Sequence, residues 1–365
     1  MQVKKVKQAR RSFKSFAIAI IFFIGIQIGL TWYVSLDTVY NYRINYNMFL
    51  KNQNTIEVVI DEMAKKIKKE KRDDYIILIG NSVAWGTNET SRHSLGYYLN
   101  ESAGGSKEKP AVFNLSAPSM QPGDIYTLLL MLDKKGISTS NLIIGLSYSA
   151  FNERSSGPRA VFWLGDQLKR LDPAAFGDVR EQLVQSGYKD LEGKDYIEKT
   201  AIHKLMGVLP IYLYKDPISF YWKQQKAGTD LLGNPLPWNE KKINQKWIKS
   251  YEYLNFFNPA PFDMTERNWG VYFMNRIFQH QESKKTLVFI AGANSELSKN
   301  EINVQGYQDN WATLSDYFAR PDVTYVPLKD VISADKFTDH THLTNEGNQE
   351  LAHILWRAWQ NGENE

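Results

Sequence analysis

The sequence has 365 residues, no cysteine and a formal net charge of +4. Its length can bury the core of one large α/β domain or of two smaller ones, and the lack of cysteine excludes disulfides, thiol nucleophiles and thiolate metal sites. Residues 1–14 contain six basic residues and no acidic residue, so they carry a charge of +6. The rest of the chain therefore has a net charge of −2. Because the basic charge is confined to this tail, no nucleic-acid partner is predicted.

An apolar run without charged residues follows the basic tail, over residues 15–36. At about 1.5 Å of rise per residue it can cross roughly 30 Å of hydrocarbon, and Trp32 and Tyr33 suit a membrane interface. A cleaved signal peptide would have a shorter apolar core and small residues before the cut. The pattern therefore predicts an uncleaved single-pass anchor in the cell membrane rather than a buried core helix. The positive-inside rule predicts a cytoplasmic tail over residues 1–14 and an extracytoplasmic remainder.

The segment from residue 37 to residue 73 is predicted to be helical. Its apolar residues recur at the spacing of one helix face, which fits either a helical stalk or a first helix packed on the domain. These residues are Ile56, Val59, Ile60, Met63 and Ile67.

Short apolar runs then alternate with helical stretches. The predicted strands are residues 75–80, 111–116, 141–148, 286–292 and 323–328. Such alternation predicts an α/β fold, with a parallel sheet covered by helices on both faces. We assign this three-layer domain to residues 74–150 and 286–365, with its ligands at the carboxyl ends of the strands.

The stretch between the third and fourth strands, residues 151–285, is too long for a connecting loop and holds many of the aromatic residues. It is predicted to be an inserted, mainly helical cap. Its aromatic side chains fit either a hydrophobic core or sugar-stacking platforms at the border of a site.

The chain places one serine and one histidine in positions that suit nucleophilic catalysis. Ser82 lies two residues beyond the first predicted strand, and a serine hydroxyl needs a base to remove its proton. Asp339 precedes His342 by three residues, so its carboxylate can fix the imidazole tautomer. We predict a Ser82–His342–Asp339 triad without metal or cofactor. A metal site formed by His340, His342 and Asp339 is the alternative for this cluster.

Two segments carry a resemblance to a known family. "IGNSVAWG" resembles the first block of the SGNH/GDSL hydrolase superfamily, and "DHTHLTNEG" resembles its last block, Asp-x-x-His before the final helix. The resemblance covers residues 74–150 and 286–359 but not the cap. It implies that Ser82 is the nucleophile and that Asp339 and His342 complete the triad.

The middle blocks of the sequence depart from that family, whose oxyanion hole uses a glycine backbone donor and an asparagine side chain. Ser119 stands at the position of the glycine, where its backbone N–H can still serve. For the asparagine, the Gly-x-Asn motif favours Asn294, which follows the fourth strand. The family's asparagine follows the third strand, and that position favours Ser147, with Asn152 further on. A turn-capping role for Asn294 remains open, as does a turn role for Asn81.

An anchor, an extracytoplasmic domain and a large cap together resemble the envelope-modifying members, such as the D-alanyl-lipoteichoic acid transfer protein D family and polysaccharide O-acetyltransferases. The resemblance implies a serine O-acyltransferase or carbohydrate esterase that acts on a cell-envelope or secreted polysaccharide. It also implies a membrane-bound O-acyltransferase as a partner. The alternative is a non-catalytic accessory protein with a degenerate site, which the irregular middle blocks favour.

Overall fold

The computed structural model describes residues 2–152 and 159–362. Residue 1, residues 153–158 at the start of the predicted cap and residues 363–365 lie outside the described residues. Within these ranges one parallel sheet has the strand order β2-β1-β3-β4-β5. The strands are β1 (Ile76–Gly80), β2 (Val112–Asn114), β3 (Asn141–Ser147), β4 (Lys285–Ala291) and β5 (Val323–Pro327). The α/β prediction and its parallel sheet are confirmed.

The helices connect these strands and fill the long interval between β3 and β4. The α-helices in chain order are α1 (Gln2–Tyr33), α2 (Leu36–Val39), α3 (Tyr46–Lys51), α4 (Thr55–Glu70), α5 (Ser82–Trp85), α6 (Leu95–Ser102), α7 (Pro122–Lys134), α8 (Gly165–Leu171), α9 (Pro173–Gln185), α10 (Gly193–Val208), α11 (Pro210–Ala227), α12 (Tyr251–Phe256), α13 (Trp269–His280), α14 (Lys299–Ile302), α15 (Gln305–Phe318) and α16 (Asn345–Asn361). Short 3₁₀ turns cover Ser91–His93, Tyr148–Phe151, Trp238–Glu240 and Ala334–Lys336.

The first helix is long and apolar enough to cross a membrane over Phe13–Tyr33. None of the most apolar part of this span is buried against the rest of the protein, and side chains such as Phe22 are 69% exposed. Exposure of such an apolar surface to water is unfavourable in free energy, whereas its exposure to the hydrocarbon of a bilayer is not. The predicted N-terminal apolar helix is therefore present, and it is not a core helix.

Residues 55–70 form a packed helix and not a free-standing stalk. The apolar face of α4 buries Ile56, Val59 and Met63 in the same core as Ile77 of β1. Burial of that face stabilises the helix more than its own propensity can. Of the two alternatives for this segment, the structure has the packed helix.

Both faces of the sheet are buried, because alternate strand residues point into two separate cores. One core, which includes α4, α7, α9 and α13, holds Ile77, Ile79, Leu142, Ile144, Val288 and Ile290. The opposite core, which includes α6 and α16, holds Ile76, Leu78, Ile143, Leu287 and Phe289.

The segment between β3 and β4 is mainly helical, as predicted, but it shares the main core. Helix α13 packs against α7, and Leu168 of α8 and Val179 of α9 belong to the same apolar cluster as the sheet. The predicted cap boundaries at 151 and 285 therefore need correction, because α8, α9 and α13 pack within the α/β domain. The sequence could not show this, since a core-facing helix and a cap helix have the same apolar periodicity.

One buried carboxylate joins this segment to the loop after β2. Asp124 accepts four backbone hydrogen bonds of 2.8–2.9 Å, one from Gln121 and three from residues 162–164. Burial raises the pKa of Asp124 to about 6, although the four N–H donors oppose that shift. The indole of Trp163 in turn donates to the Pro118 carbonyl at 2.8 Å. Asp124 thus supports the turn that presents Ser119.

Replacing Asp124 with alanine should lower the free energy of unfolding by roughly 3 kcal/mol, because several buried N–H groups lose their acceptor. Urea unfolding followed by tryptophan fluorescence measures this change. Asp322→Ala removes an exposed carboxylate and is the matched control, with an expected change below about 0.5 kcal/mol. Equal effects of the two substitutions would contradict the account of Asp124.

Candidate active site

Ser82 is presented by a sharp turn from β1 into α5. Gly80 ends the strand, and a Cβ there would lie 2.5 Å from the Gly145 carbonyl oxygen, so only glycine fits this close approach. Asn81 caps the short helix, since its side chain accepts a hydrogen bond from the Val83 N–H at 3.0 Å. The structure therefore gives Asn81 a turn-capping role, and Ser82 begins α5.

A helix of four residues is unstable alone, and buried side chains fix its far end. Asn114 of β2 donates to the Ala84 carbonyl at 2.8 Å. The guanidinium of Arg43, only 3% exposed, donates to the carbonyl of Gly86 at 2.6 Å and stacks 3.7 Å from the Trp85 ring. These contacts hold the nucleophile helix rigid. Sequence reasoning missed Asn114 and Arg43, because both lie in segments without a motif.

The structure brings Ser82, His342 and Asp339 together from opposite ends of the chain. The Nε2 atom of His342 lies 2.8 Å from the Ser82 Oγ, and its Nδ1 atom lies 2.8 Å from the Asp339 Oδ2. Both distances are those of hydrogen bonds. This geometry lets a neutral imidazole accept the serine proton while the carboxylate fixes the tautomer.

Asp339 is held as a carboxylate by the loop that contains it. Its Oδ1 accepts the backbone N–H groups of Thr341 and His342 at 3.0 and 2.9 Å. Burial would raise the pKa of Asp339, but His342 and His340 hold it well below the usual range. Because the pKa of Asp339 is lower in the folded than in the unfolded protein, its ionisation stabilises the fold at pH values above the ordinary carboxyl pKa. This contribution is lost only in strong acid, as the pH falls through the pKa of the folded state. Asp339 therefore stays charged at neutral pH.

His340 lies on the other side of Asp339 and faces a cluster of aromatic rings. Its Nδ1 atom is 3.3 Å from the Asp339 Oδ1, a separation that makes an electrostatic contact without a formed hydrogen bond. Its ring centroid lies 4.8 Å from Trp247 and 4.9 Å from Phe256. Burial lowers the pKa of His340, although Asp339 opposes this shift.

Asn88 is a further residue at the triad that the sequence did not reveal. Its Nδ2 donates to the Thr338 hydroxyl at 2.8 Å and to the Asp339 Oδ2 at 3.2 Å, so Asp339 Oδ2 accepts from both Asn88 and His342. The Asn88 backbone has φ 70°, a left-handed conformation that asparagine tolerates better than most residues. That conformation aims its side chain at Asp339. The only sequence signal is an asparagine soon after the nucleophile.

Asn88→Gly should lower kcat of ester turnover about tenfold with little change in KM, because one charge-assisted hydrogen bond to Asp339 is lost. Glycine keeps the left-handed backbone, so the substitution isolates the side chain. Asn303→Gly, at an exposed asparagine that ends α14, is the control and should leave kcat unchanged. An unchanged kcat in Asn88→Gly would exclude a positioning role.

Two backbone N–H groups are available as oxyanion donors. Within the described part of the chain, neither the Ser82 nor the Ser119 N–H donates a hydrogen bond. Ser119 occupies the third position of a turn closed by the Met120 N–H and the Ala117 carbonyl at 3.2 Å, with φ 65°. Pro118 precedes it, as in type II turns, where that third position usually holds glycine. The exposed Ser119 thus adopts the backbone that a glycine would have.

The other predicted residues have the following contacts in the structure. Asn294 is fully buried, and its amide donates to the Asp339 carbonyl at 3.2 Å while its Oδ1 accepts from the Leu297 N–H at 3.0 Å. It caps the loop beneath the triad, so the oxyanion assignment of Asn294 is corrected. Ser147 contacts the Ser149 hydroxyl at 3.1 Å, and the Asn152 amide donates to a backbone carbonyl of the β3–β4 segment.

Comparison of the chain with protein-family models finds no match, and comparison with curated proteins finds no relative. The chemistry of the site therefore has to be inferred from its geometry. A separate cavity of about 360 Å³ lies between residues 37–48 and α11, and its wall includes Trp85 but not the triad.

Proposed function

We propose that this protein is a serine-dependent O-acyltransferase or esterase that acts on a cell-envelope or secreted polysaccharide. The observation that supports the proposal is the continuous array from the Ser82 Oγ through His342 to Asp339, with two contacts of 2.8 Å. The resemblance of the segments around Ser82 and His342 to SGNH hydrolases indicates the reaction class. The basic tail before α1 favours an extracytoplasmic position for the site.

In the proposed reaction the Ser82 Oγ attacks the carbonyl carbon of an ester as His342 Nε2 takes its proton. The backbone N–H groups of Ser82 and Ser119 are the proposed donors to the oxyanion. The imidazolium returns its proton to the leaving alcohol, and an acyl-serine ester forms. A second hydroxyl or water then gives its proton to Nε2 and attacks the acyl carbon. The imidazolium passes that proton to the departing Ser82 Oγ, which restores the free serine and the neutral imidazole.

Transfer and hydrolysis differ only in which hydroxyl attacks the acyl-enzyme. A glycan hydroxyl gives transfer and water gives hydrolysis, so exclusion of water and binding of the acceptor decide the outcome. The half-buried rings of Trp247 and Phe256 lie beside His340 of the triad loop and are proposed to form part of the acceptor site. A membrane-bound O-acyltransferase is the proposed acyl source.

A non-catalytic accessory role is the second candidate, and one observation favours it. Asn294 is committed to its loop, so the asparagine side chain that the superfamily places in its oxyanion hole has no identified counterpart at this site. An accessory protein would keep the fold and the anchor without turning over esters.

Steady-state hydrolysis of an aryl acetate by the full-length protein tests the proposal. Turnover that partitions toward an added polysaccharide, giving an acetylated product, supports transfer, and turnover to acetate alone supports an esterase. Absence of turnover with both aryl acetate and acetylated glycan would favour the accessory role.

A further inference from the structure

The turn between α10 and α11 exposes apolar residues at the edge of the protein. The sequence "LMGVLPIYLY", residues 205–214, has no charged residue and is flanked by Lys204 and Lys215. Ile211 is 37% exposed and Tyr212 is 46% exposed. An apolar tip between two lysines is typical of a segment that lies at a membrane interface.

The position of this tip is fixed by its contact with the membrane-spanning helix. Helix α11 packs against α1, and the backbone N–H of Ile211 donates to the Gln27 Oε1 at 3.1 Å. Gln27 lies six residues before Tyr33, the end of the apolar span, which is about 9 Å along a helix. The tip therefore lies beside the span, at a depth that interfacial segments commonly reach.

The start of α11 satisfies its backbone donors without water. The first four N–H groups of a helix have no partner within the helix, and lipid cannot supply one. Pro210 has no N–H, and Ile211 is bound by Gln27. Tyr212 and Leu213 donate to the Leu209 carbonyl at 2.9 and 3.3 Å. Gln27 thus supplies an acceptor to the start of α11 from within the apolar span, while its own Nε2 has no hydrogen-bond partner among the described residues.

We propose that the tip of the α10–α11 turn, with Pro210, Ile211 and Tyr212, inserts into the lipid leaflet on the side of the folded domain, while Tyr214 stays packed in the core. The protein is then held at two points, by α1 and by this turn, and cannot swing freely about a single helix. Pro217 and Phe220, further along α11, line the cavity of about 360 Å³, so its wall lies close to the membrane surface. The proposal depends on α1 crossing the membrane and is independent of the chemistry at Ser82.

Site-specific fluorescence tests the insertion directly, because the chain has no native cysteine. The full-length protein with Ile211→Cys is labelled with a nitrobenzoxadiazole dye and reconstituted into phosphatidylcholine vesicles. Vesicles whose acyl chains are brominated near the glycerol end should quench most of the emission, and bromination near the methyl end should quench less. Tyr212→Cys is a second labelling site, in case the first variant folds poorly.

Two controls separate the possible results. A dye at Ile21, which is 69% exposed within the span, should be quenched, and a dye at Val331, which is 44% exposed on the loop after β5, should not. If dyes at 211 and 212 behave like the dye at 331, the turn lies in water or against a protein partner and the proposal is wrong. Loss of quenching at residue 21 would also overturn it, because the supporting span would be absent.

Discussion

Ser82→Ala should reduce ester turnover by at least about 10⁴-fold, because no other group can form the acyl intermediate at this position. The fold should persist, since the Ser82 hydroxyl makes a contact only with His342 among the described residues and the turn is held by Asn81, Asn114 and Arg43. Circular dichroism checks the fold, and aryl acetate hydrolysis measures the loss.

Ser147, at the end of β3, and Ser119, in the loop after β2, provide matched controls for this substitution. Ser147→Ala removes a hydroxyl that contacts Ser149, and we expect activity within a few-fold of the parent protein. Ser119→Gly keeps the backbone N–H and suits its left-handed conformation, so it should also retain activity. A loss in Ser119→Gly as large as in Ser82→Ala would show that a side chain is needed where we assign a backbone donor.

Asp339→Asn should lower kcat by about a thousandfold while KM changes little. The Thr341 and His342 N–H groups keep the amide oxygen at the Oδ1 position, so the amide nitrogen faces His342 Nδ1. Nδ1 must then accept a hydrogen bond, and Nε2 carries the proton. An imidazole protonated at Nε2 cannot take the proton from Ser82.

Asp335→Asn is the control for this change, because it replaces an exposed carboxylate in the same loop region. We expect full activity from it. If Asp339→Asn also kept full activity, the tautomer argument would fail, even with the observed geometry.

The sheet was predictable because its strands are short apolar runs separated by helical stretches. Strand β2 is shorter than predicted, since pairing ends at Asn114, although the Leu115 and Ala117 N–H groups still donate to the Leu78 and Gly80 carbonyls beyond it. The cap boundaries were not predictable. Helices that cover the sheet and helices that lie over a site bury similar apolar faces, and only the tertiary contacts of α13 distinguish them.

The triad was predictable because each of its signals is local in the sequence. Ser82 follows a strand, and Asp339 precedes His342 by three residues. The supporting residues were not, because their roles depend on contacts between distant segments. Asn88 reaches Asp339 across 251 positions, and Arg43 binds a carbonyl 43 positions away.

Asn294 shows that a short sequence motif does not establish the role of a side chain. A Gly-x-Asn after a strand matches an oxyanion motif, but the sequence does not say where the amide points. In the fold it points beneath the triad loop and donates to the Asp339 carbonyl. The turn-capping alternative for this residue describes the structure.

The most direct measurement of the central claim is the intact mass of the protein after reaction with a fluorophosphonate, followed by mapping of the modified peptide. A nucleophile activated by His342 predicts one adduct, on Ser82, and its loss in Ser82→Ala and in His342→Ala. An unmodified parent protein, or an adduct that persists in both variants, would contradict covalent catalysis at this site.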